Sequence, residues 1–156
     1  MKAGKEYIFR TVQVLEVDRD KAWHFFSDPF NLAKITPAYL GFKIRSDLKP
    51  GEFFEGMKIR YSIRPLLRLP MNWETLIAHV KPLESFTDIQ LKGPYVKWEH
   101  THSFEDTAEG VRMTDEVRYK LPFGLVGNLA HTLFIKKQIE NIFSYRRVAL
   151  NEHLYA

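Results

Sequence analysis

The chain has 156 residues, of which 45% are hydrophobic, 14% aromatic and 27% charged; that is the balance of a globular protein and enough chain for one domain over 1–156 with its own core. The formal charge of +4 is dispersed, its densest cluster being Lys136-Lys137 with Arg146-Arg147, and no zinc-finger, basic-zipper or ribonucleoprotein motif accompanies it, so no nucleic-acid partner is expected. The absence of cysteine excludes disulfides and thiolate metal sites, while the lack of a long apolar run, or of a signal-like leader in MKAGKEYIFR, points to a cytoplasmic protein without stable membrane insertion.

Tyr7 to Val17, rich in β-branched and aromatic residues, predicts a first strand. Asp18 then suits an N-cap, and RDKAWHFFSD predicts a short helix with Ala22, Phe25 and Phe26 on one side. Asp28-Pro29 stops it, and a second short helix is expected from about Asn31, read as its cap, to Ile35. Strands follow at Phe42–Ser46, Met57–Arg64, Asn72–Val80, Ser85–Leu91, Val96–Phe104 and Val111–Tyr119. Their short polar connections, among them Pro50-Gly51, Gly93-Pro94 and Asp106–Gly110, favour an antiparallel meander. After Leu121-Pro122 the apolar residues change to helical spacing at 125, 126, 129, 133, 139, 142, 143 and 150. This predicts a helix from about Leu125 to Asn151, the one element large enough to cover the buried face of the sheet.

That order, with the segments FFSDPFNLAKITPAYLGFKI, LPMNWETLI, FTDIQLKGPYVKWEHTHSF, TDEVRYKLPFG and IFSYRR spread over nearly the whole chain, resembles the SRPBCC or START-like helix-grip superfamily. More narrowly it is similar to small bacterial ligand-binding and polyketide cyclase/dehydrase-like members. The resemblance implies an α+β fold: a curved seven-stranded antiparallel sheet gripping a long C-terminal helix, two short helices after the first strand, and an apolar cavity between sheet and helix. It implies a small hydrophobic ligand such as a lipid, polyketide or quinone, and it carries over no reaction and no cofactor.

The informative residues interrupt the inward faces. Trp98, His100, His102 and Phe104 share one side of their strand, and Val111, Met113, Asp115, Val117 and Tyr119 share one side of the next. If Phe104 faces Val111, His100 lies opposite Asp115; a two-residue slip places His102 there instead. The pair suits structural hydrogen bonding, recognition of a ligand hydroxyl or carbonyl, or Asp-oriented acid–base catalysis at His100 or His102. His-x-His also converges two imidazoles, but with no third ligand evident no metal is expected. The preceding strand is ambiguous. Apolar content turns Ile89 and Leu91 inward, whereas the family-like F-x-D-x-Q pattern of Phe86, Asp88 and Gln90 points the other way.

The expected binding set is therefore His100, His102 and Asp115 for the ligand's polar end, with Trp98, Tyr61, Trp73 and Met113 as walls and Leu129 and Leu133 in the ceiling. Arg146 is read as snorkelling over apolar surface. The leading expectation is a binding module. The alternatives are a cyclase or dehydratase using the His–Asp pair, and an interaction module whose cavity is filled by its own aromatics.

Overall fold

A computed structural model describes residues 4–66 and 68–155; the first three residues of the leading MKAGKEYIFR segment lie outside it. Strand β1 (Glu6–Leu15) runs into helix α1 (Arg19–Phe26), then α2 (Pro29–Lys34), and a single 3-10 turn, Ala38–Leu40, leads to the short β2 (Lys43–Ile44). Five long strands follow: β3 (Lys58–Leu66), β4 (Leu69–Lys81), β5 (Ser85–Lys92), β6 (Lys97–Thr107) and β7 (Gly110–Lys120). They form one curved antiparallel sheet in the order β1-β7-β6-β5-β4-β3-β2. The chain ends in a continuous helix of α3 (Gly124–Ala130), a π-helical stretch (His131–Ile135) and α4 (Lys136–His153). No helix among the described residues is long and apolar enough to cross a membrane.

Local chemistry explains the punctuation. The Asp18 carboxylate accepts from the backbone N–H of Lys21 at 2.7 Å and caps α1, as expected. Helix α2 is capped differently from the sequence reading. Asp28 is its N-cap, accepting from Phe30 N at 3.0 Å, and Pro29 occupies the first turn, where a missing N–H costs nothing. Asn31 instead donates from its amide to the Phe25 carbonyl at 3.0 Å, tying α2 to α1. The β6–β7 hairpin turns at Ala108-Glu109, because Thr107 pairs with Gly110. Gly110 has φ +142°, and a Cβ there would strike the Leu15 carbonyl of β1, so only glycine serves this corner.

Three apolar clusters form among the described residues, one of them Met57, just before β3, with Ile59 of β3 and Ile77 of β4, and the terminal helix packs on the other two. One joins Leu15, Trp23, Phe104, Val111 and Met113 to Ala149, Leu150 and Leu154 of the terminal segment. The other packs Val117, Tyr119 and Leu121 on Ile135, Ile139 and Phe143. The helix grips the sheet through residues 127, 131, 135, 139, 143, 146 and 150, a run of steps of mostly four. An α-helix of 3.6 residues per turn would drift off such a stripe; the π-helical stretch, with its wider turn, keeps it in phase. His131 anchors the stretch, bonding the Tyr119 hydroxyl at 2.7 Å and stacking on Tyr7 with ring centroids 3.5 Å apart. The consequence overturns part of the predicted ceiling: Leu129 and Leu133 are 60% and 57% exposed. With Phe123, Leu125, Val126 and Phe134 they form an apolar ridge on the outside of the helix.

Candidate functional site

The concave face of β5, β6 and β7 carries Phe86 and Asp88, then Trp98, His100, His102 and Phe104, then Met113, Asp115, Val117 and Tyr119. In β5 it is the F-x-D-x-Q set that turns inward: Phe86 is buried, whereas Leu91 is 42% exposed. Gln90 closes the β5–β6 turn, donating to the Tyr95 carbonyl at 2.7 Å and accepting from Tyr95 N at 3.1 Å. Apolar content misleads here because this stretch of β5 faces a polar cluster rather than packed core.

The β6–β7 register is the slipped one, with His102 opposite Asp115 and Phe104 opposite Met113, and Asp88 lies opposite His100 across β5–β6. The short hydrogen bonds run diagonally across these rungs. His100 Nε2 meets Asp115 Oδ1 at 2.7 Å, and His102 Nε2 meets Asp88 Oδ2 at 2.9 Å. The remaining ring nitrogens complete the square: His100 Nδ1 is 3.7 Å from Asp88 Oδ2, and His102 Nδ1 is 3.2 Å from Asp115 Oδ1. The imidazoles lie over one another with centroids 3.8 Å apart, so each ring spans both carboxylates. Phe86 stacks on the far side of His102 at 4.4 Å, and Phe143 of α4 meets His100 edge-on at 5.5 Å.

Arg146 of α4 brings the fifth charge. It is buried, its Nη1 is 4.0 Å from Asp115 Oδ1, and its guanidinium lies 4.8 Å from the centre of the Phe143 ring. Among the described residues neither its Nε nor its Nη1 finds a hydrogen-bond partner. The environment splits the titrations. Burial pushes His102 down, but the Asp115 and Asp88 carboxylates beside it outweigh that and hold its pKa above the ordinary value. His100 is pushed below it by burial and by the neighbouring His102. Asp115 and Asp88 stay ionised against the cost of burial because the imidazoles and Arg146 surround them, which sets both pKa values low. Burial lowers Arg146 and raises Tyr61.

A pocket of about 160 Å³ opens between the sheet, the short helices and α4. Tyr61, Trp73 and Trp98 line it, as do His100 and His102, whereas Asp115 lies behind the imidazoles. Met113 points to the concave side but belongs to the packed core, and Leu129 and Leu133 face away, so these three are not walls. Their places are taken by Phe25, Phe26, Phe86, Ile139, Ile142 and Phe143. Trp73 Nε1 donates to Thr75 Oγ1 at 3.1 Å, leaving both rings of the indole to the wall. From sequence Asp88 is ambiguous, and a structural role for Arg146 ranks ahead of anion binding. A signal for each existed: the F-x-D-x-Q alternation for the first, and a lone arginine on the inward helix stripe for the second.

No family model and no curated protein sequence matches the chain. Solved structures do. TTHA0849 from Thermus thermophilus superposes with a TM-score of 0.69 at 14% identity, over 96% of this chain and 97% of that one. The KanY protein (ms6282) gives 0.70 at 11% identity, over 97% and 99%. The di-domain ARO/CYC StfQ from the steffimycin biosynthetic pathway gives 0.65 at 7% identity, over 97% of this chain and 53% of its own. These likenesses show a shared fold, which here is a seven-stranded antiparallel sheet with short helices after its first strand and a long C-terminal helix.

Proposed function

We propose that the protein, with its chain acting as one unit, binds a small apolar molecule carrying an oxygen acceptor at one end. Arg146 carries this reading: a buried guanidinium with unpaired Nε and Nη1 borders a pocket whose other walls are chiefly aromatic and aliphatic. Hydrogen bonds to a charged donor contribute about 1.5–3 kcal/mol each when made, and leaving the donor unsatisfied costs comparably. A ligand carbonyl or hydroxyl oxygen is the partner such a group selects. A cavity of roughly 150 Å³ accepts a benzene ring, so the pocket suits one ring-sized body, with more of the ligand in the opening. Apolar burial then supplies about 25 cal/mol per Å² before ordering costs. The size of the pocket speaks against a cavity filled by its own aromatics.

Native mass spectrometry of freshly purified protein, with extraction of any co-purifying small molecule, tests the reading directly. Tryptophan fluorescence titration with naphthalene and with naphthol, in wild type and Arg146→Met, tests the polar end. Naphthol is expected to bind more tightly than naphthalene in wild type, and the difference to vanish in the variant. Equal affinities in wild type sink the assignment of Arg146.

A second reading, a cyclase- or dehydratase-type reaction in the same pocket, is favoured by one feature: two Asp-paired imidazoles border it with pKa values pushed in opposite directions. His100, held with its pKa low and oriented by Asp115, is then the base, and His102, held protonated, the acid. Turnover of an extracted ligand that is lost in His100→Gln while binding persists is the result this reading requires.

A further inference from the structure

We propose that Asp88, His100 and His102 form a binding site for a first-row divalent cation of the zinc class, with Asp115 holding both imidazoles from behind. The third ligand that His-x-His lacks in the sequence is supplied by β5. Asp88 Oδ2, His100 Nδ1 and His102 Nε2 lie within 4.8 Å of one another. Two of the separations are 3.7 Å, from Asp88 Oδ2 to His100 Nδ1, and 2.9 Å, from Asp88 Oδ2 to His102 Nε2. A tetrahedral ion with bonds of about 2.0–2.2 Å sets its ligand atoms about 3.3–3.6 Å apart, between those two values.

The opposite edge of each ring strengthens the assignment. Metal-binding imidazoles generally give their second nitrogen to a carboxylate, which orients the ring and raises its basicity. Here Asp115 Oδ1 hydrogen-bonds His100 Nε2 at 2.7 Å and stands 3.2 Å from His102 Nδ1, close enough to orient that ring by its charge although no hydrogen bond is made there. The nitrogens facing away from Asp115 are the two that converge on Asp88. Asp88, His100 and His102 line the pocket while Asp115 does not, so the open coordination position faces the place where a ligand oxygen would sit. Three protein ligands with one open position is the pattern of a working zinc site rather than a closed structural one.

Charge agrees with the geometry. With neutral imidazoles, Asp88, Asp115 and Arg146 leave the cluster one negative charge in excess. A dication bound by the neutral rings leaves one positive charge, which an oxyanion in the open position balances. Arg146 stands nearest Asp115, 4.0 Å from its Oδ1, on the orienting side of the rings. This site goes beyond the ligand reading and is independent of it.

The test is calorimetric titration of Zn²⁺ into chelator-treated protein, with Co²⁺ as a spectroscopic probe. One ion per chain and the visible absorption of four- or five-coordinate cobalt are expected. Asp88→Asn and His102→Gln should abolish both, Asp115→Asn should weaken affinity about 10–100-fold, and Leu133→Ser should change nothing. Melting curves establish that each variant is folded. Should Asp88→Asn fail to fold, wild-type proton NMR decides, because Co²⁺ must shift the imidazole signals of His100 and His102 and spare those of the exposed His24, His79 and His153. No binding at millimolar ion, binding that survives both substitutions, or shifts confined to the exposed histidines would overturn the site. None of these outcomes bears on the naphthol titration, so the two proposals fail separately.

Discussion

Asp115 is the residue on which the polar cluster turns. Its side chain is 8% exposed, and it answers both imidazoles and Arg146. Replacing it with alanine leaves those donors facing a void, and breaking a buried pair in this way costs about 3–5 kcal/mol. Urea denaturation of Asp115→Ala should show a loss of that size. The metal-free protein should also show a divided titration, with His102 losing its proton above the ordinary imidazole range and His100 below it. A group whose pKa rises on folding stabilises below its unfolded value and loses that contribution as pH climbs through the folded one. The melting temperature should therefore fall as pH rises from about 6.5 into the alkaline range. The depressed carboxylates act at the other end: their contribution is complete above about pH 4 and is lost as pH falls below it. Thermal scans across pH in wild type and His102→Asn check the alkaline limb, which the substitution should flatten. At this scale the sequence was partly legible. His100, His102 and Asp115 stood out because each breaks an apolar alternation, whereas Asp88 did not, because both faces of β5 alternate equally well and only the folded sheet decides which meets the cluster.

The terminal helix shows where a period is readable and its phase is not. Residues 125 to 150 repeat helically, but the sequence carries no mark of the wider turn at His131–Ile135 that rotates Leu129 and Leu133 away from the sheet. A pair of substitutions reads that phase. Ile139→Ala, at 1% exposure, should cost about 2–5 kcal/mol, whereas Leu133→Ser should stay within about 0.5 kcal/mol of wild type. Comparable losses in both would mean that the helix docks by its other face. The hairpin between β6 and β7 gives a second test. Gly110→Ala forces a side chain toward the Leu15 carbonyl at a φ that L-residues avoid, and its melting temperature should drop by several degrees. Glu109→Ala, at an exposed neighbour, should not move it. The turn itself was misjudged by two residues in the first count because polar Glu105 and Asp106 read as loop, although both remain in the ladder, opposite Arg112 and Val111.

Across the whole molecule, chain order pointed to an antiparallel meander whose buried face a long terminal helix must cover, and the family resemblance added the curved seven-stranded sheet that grips it. The closing contact is the least local one. β1 pairs with β7, so Glu6 lies beside Lys120 and Leu15 beside Val111. Pairing across so much chain is entropically slow, and refolding should take milliseconds to seconds, rather than the microseconds of a helical bundle. Stopped-flow tryptophan fluorescence measures it. The ligand was not legible, because a pocket is defined by what several distant elements leave unfilled. Phe25, Tyr61, Trp98 and Ile139 come together only in the folded chain.

The outward face of the terminal helix has a practical corollary. Phe123, Leu125, Val126, Leu129, Leu133 and Phe134 stand in water along adjacent turns, a greasy strip of six large side chains close together in sequence. On a phenyl-substituted chromatography resin the protein should be retained until the salt gradient is nearly spent, and Leu125→Ser with Val126→Thr should elute early while melting where the parent does. Handling behaviour and thermal resistance would then answer to different residues.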